Sequence, residues 1–520
     1  MLTVTPPEAL VAAPAPVRKG PRALVVGAGF GGLAAAVRLA ARGWRVTVTD
    51  KLDAPGGRAT ALHQDGFRFD LGPTIVTAPH LFELVWRTAG RRMEDYVDVR
   101  PLDPFYTLHW QDGSHFTASG DPEAMRAEVE RLSPGDVPGW ERFMRDAEER
   151  YEVGFVGLGR RPMHEFKELV KVLPRFGMLR ADRSIHALAA RRMKDPRLRM
   201  AFSFHPLFIG GDPFRVTSMY ALVSHLEKLH GVHYAMGGAG ALADGMKRLA
   251  EEIGVEFRWN ETVDEILVQD GKAAGVRLDT GETLRSEIVV SNADAGHTYS
   301  RLLRNRPRRR WTDAKLERSK WSMGLFVWYF GTKGTKDRWS DIGHHTILNG
   351  PRYGGLVDDI FVNGKLTEDM SLYLHRPSVT DPSCAPEGGD CFYALSPVPH
   401  MGHAGRETDW EAEREPYKAR VLAMLEKWLP GLGETVVSEH VMTPPDFRDR
   451  YLSPMGCGFS IEPRILQSAW FRPHNISEEV PGLYLVGAGT HPGAGLPGAI
   501  CSAEVTDRTI PDAAAVEVGA

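Results

Sequence analysis

Long apolar runs are missing from this chain. No stretch approaches the about 20 residues needed to span a bilayer, and the apolar segment 482–503 is broken by glycines and prolines that suit a strand and a loop. Cysteine is scarce. Cys384, Cys391, Cys457 and Cys501 show no CxxC spacing, which excludes a dense disulfide framework; reduced thiols in a cytosolic protein are the simplest account. No His/Cys cluster has ligand spacing, so no metal is expected. An excess of one charge is absent too. Lys plus Arg number 63 and Asp plus Glu 67, a formal charge of −4, without the basic imbalance of a nucleic-acid binder. Residues 1–21, rich in Ala and Pro, lack the basic start and apolar core of a signal peptide, so a disordered leader is expected there. At 520 residues the chain exceeds one ordinary core, and two or three domains are expected.

Glycine is abundant and placed with meaning. Arg22 to Val26 reads as a buried strand that runs into Gly27-x-Gly29-x-x-Gly32, followed by a helix from about Gly31 to Arg42 and a second strand, Arg45 to Thr49, ending at Asp50. The first glycine permits a tight turn, the second lets backbone approach a pyrophosphate, and the third lets helix pack on strand. Phosphate charge can then sit at the positive end of the helix. Asp50, 23 residues past Gly27, is placed to take the hydroxyls of an adenosine ribose. Pro55-Gly56-Gly57-Arg58 follows too closely for an ordinary nicotinamide-binding helix. Its glycines let backbone fold over the pyrophosphate, and Arg58 adds a permanent positive charge. Near the other end, Gly482-Leu-Tyr-Leu-Val-Gly487-Ala-Gly489-Thr-His-Pro-Gly493-Ala-Gly495-Leu-Pro497-Gly498 reads as strand, glycine-rich loop and a helix starting after Pro497. The positive end of that helix suits a flavin ring whose reduced form is negative. Together the two ends predict FAD.

The chain resembles the bacterial and fungal phytoene desaturases, flavoproteins of carotenoid synthesis, from Ala23 to about Asp507. Beyond the glycines, the resemblance rests on Phe69-Asp-Leu-Gly72-Pro-Thr, Ala201-Phe-Ser-Phe-His-Pro-Leu-Phe-Ile-Gly210-Gly-Asp, Val290-Ser-Asn-Ala-Asp294, Pro397-Val-Pro-His400 and Gln467-Ser-Ala-Trp470-Phe-Arg-Pro-His-Asn475. It implies an α/β fold. A Rossmann-like FAD-binding domain of the glutathione-reductase/amine-oxidase type (22–80, 225–300, 446–510) interleaves with a mixed-sheet substrate domain (81–134, 301–445) and a helical membrane-facing subdomain (135–224). The implied cofactor shell is Gly27, Ala28, Gly29, Gly31, Gly32, Asp50, Lys51, Gly56, Gly57, Arg58, Pro73, Thr74, Val263, Asp294, Gly487, Gly489, Thr490, Pro497 and Gly498. A long helical stretch is expected over about 139–194 and a strand over Leu325 to Phe330.

What the resemblance implies for chemistry follows from the substrate. Phytoene is a hydrocarbon with no polar handle, so an apolar tunnel must recognise it by length. An unactivated C–H is too weak an acid for a side chain to deprotonate first. The expected order is hydride loss from an allylic carbon to the flavin, then proton loss from the delocalised cation to a weak base or water. Lys167 and Glu168 stand where relatives often carry an Arg-Asp pair suggested to handle that proton, although a solvated pair on a helix is the favoured account of them. His205 reads as a hydrogen-bonded structural histidine, Asp212 as a turn former, and His491 as a residue near cofactor or substrate. Successive steps give neurosporene after three or lycopene after four, with partly desaturated carotenoids between. Quinone or oxygen is the expected electron acceptor. Substrate this insoluble implies docking on the inner face of a membrane, through basic and apolar residues of 166–202 or through 301–320. Homo-oligomers on that surface stay open. The rival readings are another carotenoid flavoenzyme (a later-step desaturase, ketolase or isomerase), an amine oxidase, and a non-enzymatic prenyl-binding escort. The intact glycine loops argue against the last.

Overall fold

The computed structural model describes residues 20–403, 405 and 407–516. The leader expected over 1–21 lies outside these except for Gly20 and Pro21, and the Pro21 carbonyl already accepts a hydrogen bond from the Arg45 amide at 3.0 Å.

A five-stranded parallel sheet carries the nucleotide loop. Its order is Leu483–Leu485, Ile288–Ser291, Arg22–Val26, Arg45–Asp50 and Glu256–Trp259, so strands far apart in sequence become neighbours. Leu24, Val25, Val289, Val290 and Leu483 are buried, as expected for strands covered on both faces. Helix Phe30–Ala41 packs on one face, flanked by Gly238–Glu252 and Leu496–Asp507. Its alanines let these helices approach closely. A three-stranded antiparallel sheet, Val263–Gln269, Lys272–Leu278 and Thr283–Arg285, shares a core with the other face.

A second, seven-stranded mixed sheet draws strands from two distant regions. Tyr106–His109 and His115–Ala118 join strands from 324–442, and only the His345–Leu348/Tyr106–His109 pair is parallel. Gly324–Thr332, longer than the Leu325 to Phe330 reading, is buried along its whole length, second from one edge of this sheet. Tyr329 reaches across to the nucleotide half, its hydroxyl donating to the Leu71 carbonyl at 3.0 Å.

The single helical stretch expected over 139–194 is instead broken. Helix Val137–Arg150 continues as a wide π-helical turn through Tyr151–Leu158, and separate helices follow at Phe166–Met178 and Ile185–Arg192. Gly154, Gly157, Gly159 and Pro162 weaken helix propagation between the pieces. The Ser184 hydroxyl restarts the last piece by accepting the Ala187 amide at 3.1 Å. Among the described residues no helix is long and apolar enough to cross a membrane.

Gly32 sets the distance between the nucleotide helix and its strand. A Cβ there would lie 2.0 Å from the Gly27 carbonyl oxygen, a backbone atom that cannot step aside. Gly32→Ala is therefore expected to cost at least about 3 kcal/mol, the upper range of overpacking. A lowered thermal midpoint and loss of bound flavin on gel filtration would register it; a variant as stable and as yellow as the parent would contradict this packing.

Candidate active site

The site begins where three chain segments meet. Gly27 adopts φ 97°, in the left-handed region, and its amide donates to the Thr49 carbonyl at 2.7 Å. Asp50, at the end of its strand, receives the Ala28 amide on Oδ2 at 2.6 Å and the Leu52 amide on Oδ1 at 2.8 Å. Burial raises its pKa, and these two amides act against that rise. Gly56 donates its amide to the Ala28 carbonyl at 2.9 Å, which folds the Pro55–Arg58 turn back onto the first loop. Asn292 fills the centre. Its Nδ2 donates to the Gly27 carbonyl at 3.3 Å, and a Cβ on Gly29 or Gly31 would come within 2.8 or 2.6 Å of its amide. The same Cβ on Gly31 would lie 2.9 Å from the Gly487 amide nitrogen, so the N- and C-terminal loops touch here.

Arg58 and Asp294 face each other across the crevice, with Nη2 and Oδ2 3.7 Å apart. Arg58 also donates to the Ser453 hydroxyl. Asp294 Oδ1 caps the next turn through the Gly296 amide at 2.9 Å, while Oδ2 is buried without a hydrogen-bond partner. An orphaned carboxylate oxygen beside a glycine cradle and a guanidinium fits the hydroxyls and phosphates of a flavin nucleotide.

The C-terminal loop is held from behind. Arg472, buried, donates to the Ala488 carbonyl at 2.7 Å and the Thr490 carbonyl at 3.2 Å. Asn475 Nδ2 donates to the His491 carbonyl at 2.9 Å. The following helix starts at Leu496, one residue before Pro497 and not after it.

One cavity of about 920 Å³ joins these parts. Of the expected cofactor shell, its walls include Gly27, Gly29, Gly31, Asp50, Lys51, Gly56, Gly57, Arg58, Pro73, Thr74, Val263, Asp294, Gly487, Gly489, Pro497 and Gly498. Three lie off it. Gly32 is buried in the first turn of helix Phe30–Ala41, against the Gly27 carbonyl, and Ala28 is buried with its amide on Asp50. Thr490 turns its hydroxyl away, donating to the Pro473 carbonyl at 2.6 Å. Beyond the loops the cavity runs into an apolar arm walled by Leu169, Phe176, Met219, Leu222 and Leu226.

Lys167 and Glu168 do not reach it. Lys167 pairs with Glu165 and Glu168 with Lys171, and neither side chain is in the cavity wall. Helix Phe166–Met178 turns Leu169 and Phe176 inward and this pair outward, which removes the geometric ground for handling a substrate proton. His205 does line the arm, within a buried hydrogen-bonded group: its Nε2 is 3.0 Å from the Tyr106 hydroxyl and 3.3 Å from Glu227 Oε2. Asp212 receives the Phe214 amide at 2.8 Å and pairs with Arg215, as a turn former does. His491 lines the cavity with Nε2 3.1 Å from the Leu158 carbonyl. Burial pushes its pKa down to about 4, so it is neutral at neutral pH, with the proton on Nε2 and Nδ1 left as an acceptor.

Residues 30–505 match the family model described as flavin containing amine oxidoreductase. The chain is 65% identical to the phytoene desaturase (neurosporene-forming) of Cereibacter sphaeroides over 498 residues, 96% of each chain. It is 43% identical to the phytoene desaturase (lycopene-forming) of Pseudescherichia vulneris, over 93% of this chain and 98% of that one. The chain belongs to the phytoene desaturase family. It is a flavoenzyme of the amine-oxidoreductase fold and an oxidoreductase. In fold it is similar to a putrescine oxidase structure, with TM-score 0.63 at 14% identity over 94% of this chain and 97% of that one.

For this family member, sequence reasoning gave Arg472 and Asn475 no roles, although both stand in the stretches that carry the resemblance. The signal was a polar residue flanked by buried neighbours, which calls for an internal partner. Asp294 allows a direct test. Asp294→Asn keeps the Gly296 cap but replaces the orphaned acceptor with a donor. It is expected to weaken flavin binding about 10- to 100-fold, the value of a charge-assisted hydrogen bond. Fluorescence titration of the apoprotein measures this, and an unchanged Kd would take Asp294 out of the cofactor site.

Proposed function

We propose that the chain is an FAD-dependent phytoene desaturase that forms neurosporene as its main product at a membrane surface. One observation carries this reading: the nucleotide crevice opens without interruption into an apolar arm that ends under helix Phe166–Met178. A hydrocarbon can be held only by such a surface, through its area and length. FAD, when bound, supplies the two-electron acceptor for hydride. The chain's own residues bind and orient. Asp50 suits the ribose hydroxyls, Asp294 Oδ2 a further hydroxyl, and Arg58 with the start of helix Phe30–Ala41 the phosphates. The start of helix Leu496–Asp507 borders the same cavity and favours negative charge there. The apolar walls keep a carbon chain aligned and water away from it. Loss of the proton needs only a weak base, because the substrate cation is strongly acidic. Neurosporene is favoured over lycopene because the relative named for it shares 65% of residues, against 43% for the lycopene-forming one.

Membrane contact is argued from the same helix. Phe166, Val170, Leu173 and Met178 are exposed on it, and Leu466 is exposed where Phe166 meets Trp470 at 5.4 Å between ring centres. Leu169, Leu173 and Phe176 of that helix wall the cavity, so an apolar outer strip lies directly over the apolar arm. The basic region 301–320 suits this role less. Arg304, Arg308 and Arg310 pair with Asp264, Asp313 and Glu478, and Trp311 and Trp321 are buried. Placement on the inner face of the membrane, with quinone or oxygen taking the electrons, belongs to this proposal.

Flavin-loaded protein incubated with phytoene in liposomes, with quinone under anaerobic conditions and separately with oxygen, is expected to yield neurosporene by chromatography. An inert mixture with FAD bound and both acceptors supplied would overturn the substrate assignment. The double variant Phe166→Ser/Met178→Ser is expected to keep its flavin and to lose at least about tenfold in vesicle co-sedimentation, since each buried apolar side chain contributes about 1.5–3 kcal/mol. Undiminished vesicle binding would move the contact elsewhere.

A further inference from the structure

Behind the cavity wall three imidazoles converge. His344 and His345 lie at the start of strand His345–Leu348, His375 ends strand Leu372–His375, and the antiparallel register sets His345 opposite His375. All three are buried, and one nitrogen from each lies within 4.8 Å of the others. Among the described residues no other group of three His, Cys, Asp or Glu side chains is gathered this closely. His375 follows His344 by 31 residues and His345 by 30, far outside the short ligand spacings read from sequence, which is why no metal was expected: the ligands meet only because two strands pair.

The hydrogen bonds around the cluster are ordered from outside in. His344 Nδ1 is 2.7 Å from the Thr380 hydroxyl, and His345 Nδ1 is 2.7 Å from the Tyr373 hydroxyl. With protons on those outer nitrogens, each Nε2 presents a lone pair to the interior. His344 Nε2 and His375 Nε2 are 3.1 Å apart, and His345 Nε2 is buried with no hydrogen-bond partner. Ligand nitrogens bonded at about 2.0–2.1 Å around a tetrahedral ion lie about 3.3 Å from one another, close to the 3.1 Å between His344 Nε2 and His375 Nε2. Metal-bound histidines are oriented in this way, by an oxygen partner on the nitrogen that faces away from the ion. A chain of neutral imidazoles without an ion would explain the His344–His375 contact but leaves His345 Nε2 unsatisfied.

We propose that His344, His345 and His375 bind one divalent transition-metal cation of the zinc or cobalt kind through their Nε2 atoms, with a water in the fourth position. An all-imidazole donor set selects such ions over magnesium or calcium, which need oxygen ligands. The Asp381 carboxylate acts on His344 and offsets part of the added charge. The ion would act as a positioning element. The Tyr373 hydroxyl contacts both His345 Nδ1 at 2.7 Å and Thr74 Oγ1 at 3.0 Å, and Tyr373 and Thr74 both wall the cavity. Fixing the imidazoles thereby fixes that wall.

The test uses untagged, full-length flavoprotein. Elemental analysis is expected to find about one equivalent of zinc per chain, retained because a buried site exchanges slowly. Protein stripped with dipicolinate and titrated with Co2+ should develop the visible d–d absorption of a four-coordinate nitrogen site. His375→Gln should abolish that band with the flavin still bound. Tyr373→Phe, which removes the hydroxyl that bonds His345 Nδ1 and Thr74 Oγ1 but leaves all three imidazoles in place, should weaken Co2+ binding about 10- to 100-fold. Absence of both zinc and any Co2+ band in the parent protein would overturn the proposal. So would an undiminished band in folded His375→Gln. Should His375→Gln fail to fold, the parent titration and Tyr373→Phe decide. None of these readouts depends on desaturation, so failure here is distinct from failure of the substrate assignment.

Discussion

Two stretches of backbone approach each other around Asn292 until no methyl group fits between them. The first glycine loop and the C-terminal loop meet through Gly31 and Gly487, and the Pro55–Arg58 turn folds onto the first loop through the Gly56 amide on the Ala28 carbonyl and through Gly57 beside Gly29. That closeness lets one crevice be walled by residues 27–58, 292–294 and 487–498 together. The carboxamide at the centre is tied to the Gly27 carbonyl, so the contact has a fixed orientation as well as small size. The parallel sheet exists in this strand order because Ile288–Ser291 must deliver Asn292 to that point.

The second sheet gives the crevice its depth. Thr74 follows the Phe69–Gly72 stretch and bonds the hydroxyls of Tyr373 and Tyr393 at 3.0 Å each, and Tyr329 bonds the Leu71 carbonyl. These tyrosines belong to the seven-stranded sheet, so the wall of the cavity is also the seam between the two halves. Hydroxyls buried at such a seam need partners on the opposite side. The joint is thus set by a few directed bonds, and the greasy surface beyond them is free to vary in length.

The sequence makes local features legible and hides those built by pairing. Gly27, Gly29, Gly32 and Asp50 announce themselves because turn, close approach, helix packing and carboxylate all lie within one strand–helix–strand unit. Gly487 and Pro497 are readable for the same reason. Lys167 and Glu168 stayed ambiguous in the sequence because neighbours along the chain say nothing about which face of a helix turns inward; Leu169 and Phe176 line the cavity and the two charges do not. Thr490 sits in a legible loop, yet its hydroxyl is claimed by Pro473, which only the folded chain brings near. The buried histidines are the extreme case, being joined by strand register alone.

The nucleotide half is closed by its own ends. Arg42, just past the first helix, holds Asp507, Ile510 and Asp512 through hydrogen bonds of 2.6–2.8 Å. Helix Leu496–Asp507 packs on helix Phe30–Ala41. During synthesis, then, the first loop leaves the ribosome hundreds of residues before the partner that completes its crevice. One face of that alanine-rich helix stays uncovered until residues 496–507 emerge, and the crevice is complete only once residues 487–498 join it.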